Sequence, residues 1–253
     1  MKRVFITGAS SGIGAALARF YAAQGCELGL VARRVDALQK VADSLLGNSH
    51  QTYVLDVNNR EALHHAAQAF LARGPVDIVI ASAGISVGTL TEADEDFKVF
   101  QHIMQTNVLA TVSTFEPFVA SMKTRAQGRL VAVGSVAGVR GLPGAGAYSA
   151  SKAAVRVYCE SLRVELSGSG VKVVTLAPGF IETPMTEHNP YRMPFLMPVE
   201  AFALRAAKAI EQGDGYRVIP WQMAWVARLL ALVPDFLYDR AARKRKRKPR
   251  ASE

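Results

Sequence analysis

The chain has 253 residues, half of them apolar and a fifth charged, a balance that fits one packed globular domain and excludes fibrous or disordered classes. Its two cysteines, Cys26 and Cys159, exclude a disulfide framework and lack the close pairing of a zinc site, which points to a reducing, cytoplasmic setting. The net charge of +9 is concentrated: eight Lys/Arg and one Glu between Arg240 and Glu253 give +7, leaving +2 on residues 1–239 and no basic face for nucleic acid on the body.

Basic Lys2 and Arg3 precede the apolar start Val4-Phe5-Ile6, but Thr7-Gly8-Ala9-Ser10 interrupts it before a signal-peptide core forms, so no secretion signal is expected. Short apolar runs then alternate with longer segments of helical period, the pattern of a doubly wound α/β fold with a seven-stranded, mostly parallel sheet covered on both faces. The expected strands are Arg3–Thr7, Glu27–Ala32, Thr52–Asp56, Asp77–Ala81, Arg129–Ser135, Val171–Ala177 and Tyr216–Pro220. The first helix carries Ile13, Leu17, Phe20 and Tyr21 on one face and stops at Gly25. Further helices are expected over Val35–Leu46, Arg60–Ala72, Asp94–Thr124, Tyr148–Ser167, Val199–Gln212 and Trp221–Val233. These divide the chain into a catalytic domain (1–220), an apolar C-terminal helix (221–239) and a polybasic tail (240–253).

The turn Thr7-Gly8-Ala9-Ser10-Ser11-Gly12-Ile13-Gly14 joins the first strand to the first helix, where backbone N–H groups and the helix dipole hold a pyrophosphate. After the second strand stands Ala32-Arg33-Arg34, where an NAD-preferring site carries an acid. Arg33 and Arg34 suit a 2′-phosphate instead, which makes NADP(H) the expected cofactor. Asp56 is a candidate acceptor for the adenine amino group and equally a helix cap.

Tyr148 and Lys152, four residues apart, share one helix face. A phenol with a pKa near ~10 needs tuning to act at neutral pH, and a Lys about 4 Å away supplies up to roughly 4 kcal/mol at an effective dielectric of about 20. The preceding strand ends in Ser135, at the crevice where open α/β sheets bind ligands.

Together these residues resemble the short-chain dehydrogenase/reductase family. The resemblance runs to about Pro220 and rests on the Thr7–Gly14 turn, Asp56-Val57, Ala83-Gly84, Asn107, Ser135, Tyr148/Lys152 and Pro178-Gly179-Phe180-Ile181-Glu182-Thr183. It implies that Tyr148 transfers the proton, Ser135 polarises the substrate oxygen, Lys152 tunes the tyrosine and holds the nicotinamide ribose, and Asn107 supports a relay water. It also implies that Thr183 and the backbone near Ile181 fix the nicotinamide carboxamide, with Gly8, Ser10, Ser11, Gly12, Ile13, Gly14, Val57, Ala83, Gly84, Pro178 and Gly179 lining the cofactor. Dimers or tetramers are common in such a family. One departure is Ala81-Ser82-Ala83-Gly84, where the family often shows Asn-Asn-Ala-Gly.

The Met- and Pro-rich stretch Thr183–Pro198 reads as a substrate lid over a hydrophobic carbonyl or alcohol. Trp221–Val233 is too short to span a bilayer. With the basic run behind it, the segment reads either as an interfacial helix with a polybasic anchor on an anionic leaflet, or as a helix buried in a subunit interface or under the lid with a solvated tail. A nucleic-acid role for Lys244–Lys248 ranks lower, since no aromatic residue is interleaved to stack on bases. The leading expectation is an NADP(H)-dependent oxidoreductase interconverting a hydrophobic carbonyl and alcohol; the alternative is a dinucleotide sensor or scaffold with vestigial chemistry.

Overall fold

The computed structural model describes residues 1–47, 49–187, 189–243 and 246–250. Seven strands form one sheet in the order β3-β2-β1-β4-β5-β6-β7, and every ladder is parallel. They are β1 (Arg3–Thr7), β2 (Glu27–Ala32), β3 (Gln51–Val54), β4 (Ile78–Ala81), β5 (Gly128–Val133), β6 (Val171–Pro178) and β7 (Tyr216–Ile219).

Neighbouring residues of the central strands feed opposite apolar layers because side chains alternate across a sheet. Val4 and Ile6 pack with α1 (Gly12–Ala23), α2 (Val35–Asp43) and α7 (Val199–Gln212), whereas Phe5 packs with α3 (Arg60–Leu71), α5 (Ala110–Thr124) and α6 (Gly146–Glu165). Ile78 and Ile80 divide from Val79 and Ala81 in the same way. Both faces are thus buried, which is why these strands read as unbroken apolar runs. Phe5 meets Phe70 and Phe118 at ring separations of 5.8 and 5.0 Å. Gly29 on the adjoining strand makes the space, since a Cβ there would lie 2.8 Å from the Phe5 ring.

The long helix expected over Asp94–Thr124 is broken into α4 (Asp96–Met104), a π-helical turn over Gln105–Leu109, and α5. Strand limits shift by one or two residues, and β5 ends at Val133, which leaves Ser135 just beyond the sheet. After β7 come α8 (Trp221–Leu232) and α9 (Asp235–Ala242), so a continuous helix crosses the expected boundary between residues 239 and 240. Arg140 fastens this pair to the loop after β5: it donates to the carbonyls of Leu230 and Val233 at 3.1 and 3.0 Å and pairs with Asp235 at 2.7 Å. Among the described residues no helix is long and apolar enough to cross a membrane.

Candidate active site

The carboxyl ends of β1 and β4 diverge at the switch in strand order, and a cleft of about 310 Å³ opens there. Gly8 turns the chain out of β1 with φ +68°, and a Cβ at this residue would lie 2.7 Å from the Ala83 nitrogen. A Cβ on Gly14 would lie 2.3 Å from the Gly8 carbonyl, so α1 starts against the turn only with glycine there. The first turn of α1 has no acidic residue and its N-cap, Ser11, makes no side-chain capping bond, which leaves backbone donors of Gly12–Gly14 at the cleft.

Arg34 reaches back to the same turn, donating to Ser11 Oγ at 3.1 Å and Ser10 Oγ at 3.4 Å. Arg33 spans the cleft's other margin to Asp56 at 3.4 Å. Asp56 also accepts the Asn58 N–H at 2.9 Å, so it serves both as a turn acceptor and as the arginine's partner. The β4 turn is held by Thr7 Oγ1, which accepts from the backbone of Ser82 and Ala83 at 3.3 and 3.4 Å. This hydroxyl holds the turn, and its position at a strand end gave no sign of it.

At the inner end of the cleft, Ser135 caps a short 3-10 turn and accepts the Ala137 N–H at 3.1 Å. Its hydroxyl also hydrogen-bonds Tyr148. Lys152, on the same face of α6, donates to the Val133 carbonyl at 2.8 Å, and its Nζ lies 5.8 Å from the centre of the Tyr148 ring. The expected downward pull of Lys152 on Tyr148 is not what this arrangement gives. Burial raises the Tyr148 pKa, the Ser135 hydrogen bond opposes that only in part, and the phenol of Tyr191 adds to the rise. Burial also brings Lys152 down to about 8, because loss of water disfavours its own charge.

Asn107 is the one expected site residue that does not line the cleft. It sits behind it in the π-helical turn, donating to the Ile85 carbonyl at 3.0 Å and Ser151 Oγ at 2.9 Å, and accepting the Ile85 N–H at 2.8 Å. Both amide hydrogens are therefore spent on the protein, and the side chain clamps the loop after Gly84. A Cβ on Gly84 would lie 3.2 Å from Asn107 Oδ1 and 3.5 Å from Lys152 Nζ, so the cleft floor there is cut to glycine's size. All the other expected residues come together: Gly8, Ser10, Ser11, Gly12, Ile13, Gly14, Arg33, Arg34, Asp56, Val57, Ala83, Gly84, Ser135, Tyr148, Lys152, Pro178, Gly179, Ile181 and Thr183.

The stretch Thr183–Pro198, whose His188 lies outside the described residues, is pinned at both ends by the Ile181–Met197 bridge. Thr186 Oγ1 accepts the Thr183 N–H at 3.1 Å and bonds the Ile181 carbonyl. Thr186 and Met185, both within the expected lid, line the cleft. Tyr191 stands 6.3 Å from the Phe180 ring. Of the basic run, Lys244 and Arg245 lie outside the described residues. Its remainder is not solvated throughout, because Arg250 forms ion pairs with Asp96 and Glu95. Among the described residues no cluster of His, Cys, Asp and Glu is arranged to hold a metal.

A family model for short chain dehydrogenases matches residues 2–192. An uncharacterised oxidoreductase of Myxococcus xanthus is 37% identical over 246 residues, covering 96% of this chain and 97% of that protein. An uncharacterised oxidoreductase of Mycobacterium tuberculosis is 36% identical over 249 residues, covering 95% and 97%. Among solved structures, the alcohol dehydrogenase of Thermococcus sibiricus complexed with 5-hydroxy-NADP superposes with a TM-score of 0.75 at 29% identity, covering 87% of this chain and 96% of that one.

Proposed function

Since the chain belongs to the short-chain dehydrogenase family and is an oxidoreductase of it, we propose that it interconverts a carbonyl and a secondary alcohol on a hydrophobic small molecule with NADP(H), Tyr148 acting as the proton donor or acceptor. The observation that carries the reading is the convergence of Tyr148, Ser135 and Lys152 at one end of a cleft whose other end holds the α1 N-terminus and two arginines. The cleft fits a nicotinamide dinucleotide: glycines open it where a Cβ would close it, and unspent backbone donors of Gly12–Gly14 suit a pyrophosphate. Arg33 and Arg34 suit the 2′-phosphate, and Thr183 with Ile181 suits the carboxamide end. That cofactor, when bound, supplies or takes the hydride.

The chain's own groups manage the proton. Burial keeps Tyr148 protonated at neutral pH, the form that donates to an oxygen gaining negative charge. Ser135 presents a second hydroxyl to that oxygen, the electrostatic part of the task. Lys152 has given one N–H to Val133 and keeps others for a ribose hydroxyl. Asn107 holds the Ile85 loop so that the floor of the cleft keeps its shape.

Tyr148→Phe should lower turnover on a panel of hydrophobic ketones by about a hundredfold to ten-thousandfold, the usual share of acid–base catalysis. The same variant should bind NADPH as the parent does in a fluorescence titration, and both should bind NADH more weakly. Retained turnover in Tyr148→Phe would remove the proposed role. Binding without any turnover by the parent would favour a dinucleotide sensor or scaffold.

A second reading concerns location. Trp221, Trp225, Leu229 and Leu232 are exposed at helical spacing along α8 and Phe236 is exposed on α9, with basic Arg240 and Arg243 exposed just beyond. We infer that these apolar side chains lie on an anionic bilayer surface. The full chain should sediment with phosphatidylserine vesicles at low salt, and Trp225→Glu should abolish it. If a homodimer or homotetramer buries these side chains instead, light scattering gives a multiple of 27.3 kDa and vesicles carry nothing down.

A further inference from the structure

The C-terminal segment turns back over the substrate side of the site. The Pro249 carbonyl accepts the Gly88 N–H at 2.8 Å, and Arg250 forms a parallel bridge with Gly88. Arg250 then enters an acidic socket at the start of α4: Nε donates to Asp96 at 2.8 Å and Nη2 to Glu95 at 2.6 Å. Asp96 is buried and also accepts the Leu90 N–H at 2.7 Å, so the socket is part of the folded core of that loop.

Two glycines make room for this strap. A Cβ on Gly88 would lie 2.3 Å from the Lys248 carbonyl and 2.6 Å from that of Pro249; one on Gly144 would lie 2.9 Å from Arg247 Cβ. The loops carrying them are themselves joined, Thr89 donating to the Gly144 carbonyl at 3.0 Å. The strap therefore crosses the two loops that flank Tyr148, one following β4 and one preceding α6.

What it brings there is Lys248. Its Nζ lies 5.9 Å from the centre of the Tyr148 ring, half-buried and without a hydrogen bond or ion pair among the described residues. The nearby acids, Glu95 and Asp96, are already taken by Arg250. An ammonium group drawn partly out of water with only an aromatic ring facing it is costly, and burial lowers the Lys248 pKa accordingly. A ligand anion seated against it would remove that cost.

Taking the site to be the hydride-transfer site described above, we propose that its substrate is a hydrophobic oxo or hydroxy carboxylate whose carboxylate pairs with Lys248 while its reacting oxygen meets Tyr148. The basic tail is on this view a specificity element, carrying a charge from the far end of the chain to the side of Tyr148.

The test is calorimetric titration of the full chain loaded with NADP⁺, using phenylpyruvate and β-benzoylpropionate, each against its methyl ester. One charge-assisted contact predicts that the acids bind about tenfold to a hundredfold more tightly than the esters. Lys248→Gln should erase that gap and Lys248→Arg retain it. Gly88→Ala, which displaces the strap without touching the charge, should erase it as well. Equal affinity of acids and esters in the parent, binding of neither, or a gap that survives Lys248→Gln would overturn the proposal. So would tighter binding of both probes by Gly88→Ala, which would mark the strap as a plug. Replacing NADP⁺ by NADPH tests the underlying reading separately: an acid preference without cofactor oxidation sinks hydride transfer and leaves the carboxylate site standing.

Discussion

Lys152 shows how one buried side chain ties stability to chemistry. In the folded chain it loses its proton near pH 8, and in the unfolded chain near 10.5. Between those values the unfolded state holds more protons, so raising the pH through that window should stabilise the fold; below pH 8 the whole cost is present. The span corresponds to an upper limit on the order of 3 kcal/mol. The buried thiols of Cys26 and Cys159, raised from 9.0, oppose this above pH 9, so the effect is read as a difference: the urea midpoint of the parent should gain on that of Lys152→Met from pH 8 to pH 10, and an equal slope in both proteins would remove Lys152 as a source. Tyr148, whose pKa is raised above 10, works the other way only beyond that pH. At this scale the sequence was informative where residue type and spacing carried the chemistry, as for Tyr148 with Lys152. It was silent on the contacts of Thr7 and Lys248, because each acts through a neighbour distant along the chain. The direction of the Tyr148 shift was also hidden, since burial is a property of the folded whole.

At the scale of elements, the strands were legible because a parallel sheet covered on both faces leaves no polar alternation to confuse the period. The Gly-rich turn was legible for a different reason: Gly8 and Gly14 sit where no side chain fits. Gly14→Ala puts a carbon 2.3 Å from the Gly8 carbonyl, so α1 must shift off the turn. Overpacking of this kind costs about 1–3 kcal/mol, and the displaced N–H donors should weaken NADPH binding about tenfold or more. Fluorescence titration beside a denaturation curve checks both; unchanged binding would mean that the turn does not hold the pyrophosphate. The π-helical turn at Gln105–Leu109 was not legible, since the helical period runs on through Asp94–Thr124 and a single inserted residue leaves little trace in it. That turn nevertheless carries Asn107, and with it the clamp on the Ile85 loop.

Across the whole molecule, the sheet separates two tasks by its two ends. The cleft occupies the carboxyl ends of the strands, whereas the amino ends of β1 and β2 are joined by Arg3 and Glu27, both buried and 3.0 Å apart. Arg3 also donates to the carbonyls of Phe70 and Gly74 and stacks 4.1 Å over the Phe70 ring, while Arg73 gives Glu27 a second cationic partner at 2.9 Å. This cluster fastens β1, β2 and the end of α3 together. Removing one partner strands a buried charge, which costs about 3–5 kcal/mol. Glu27→Ala should therefore lower the unfolding free energy by that amount while the affinity for NADPH stays within about twofold of the parent's. The sequence offered Arg3 and Glu27 only as polar residues at strand starts; their pairing depends on the in-register neighbours Arg3 and Glu27 in the β1–β2 ladder, a long-range fact. A large loss of NADPH affinity in Glu27→Ala would show that strain at the amino ends is transmitted through β1 to Gly8, and the two ends would then have to be treated as one unit.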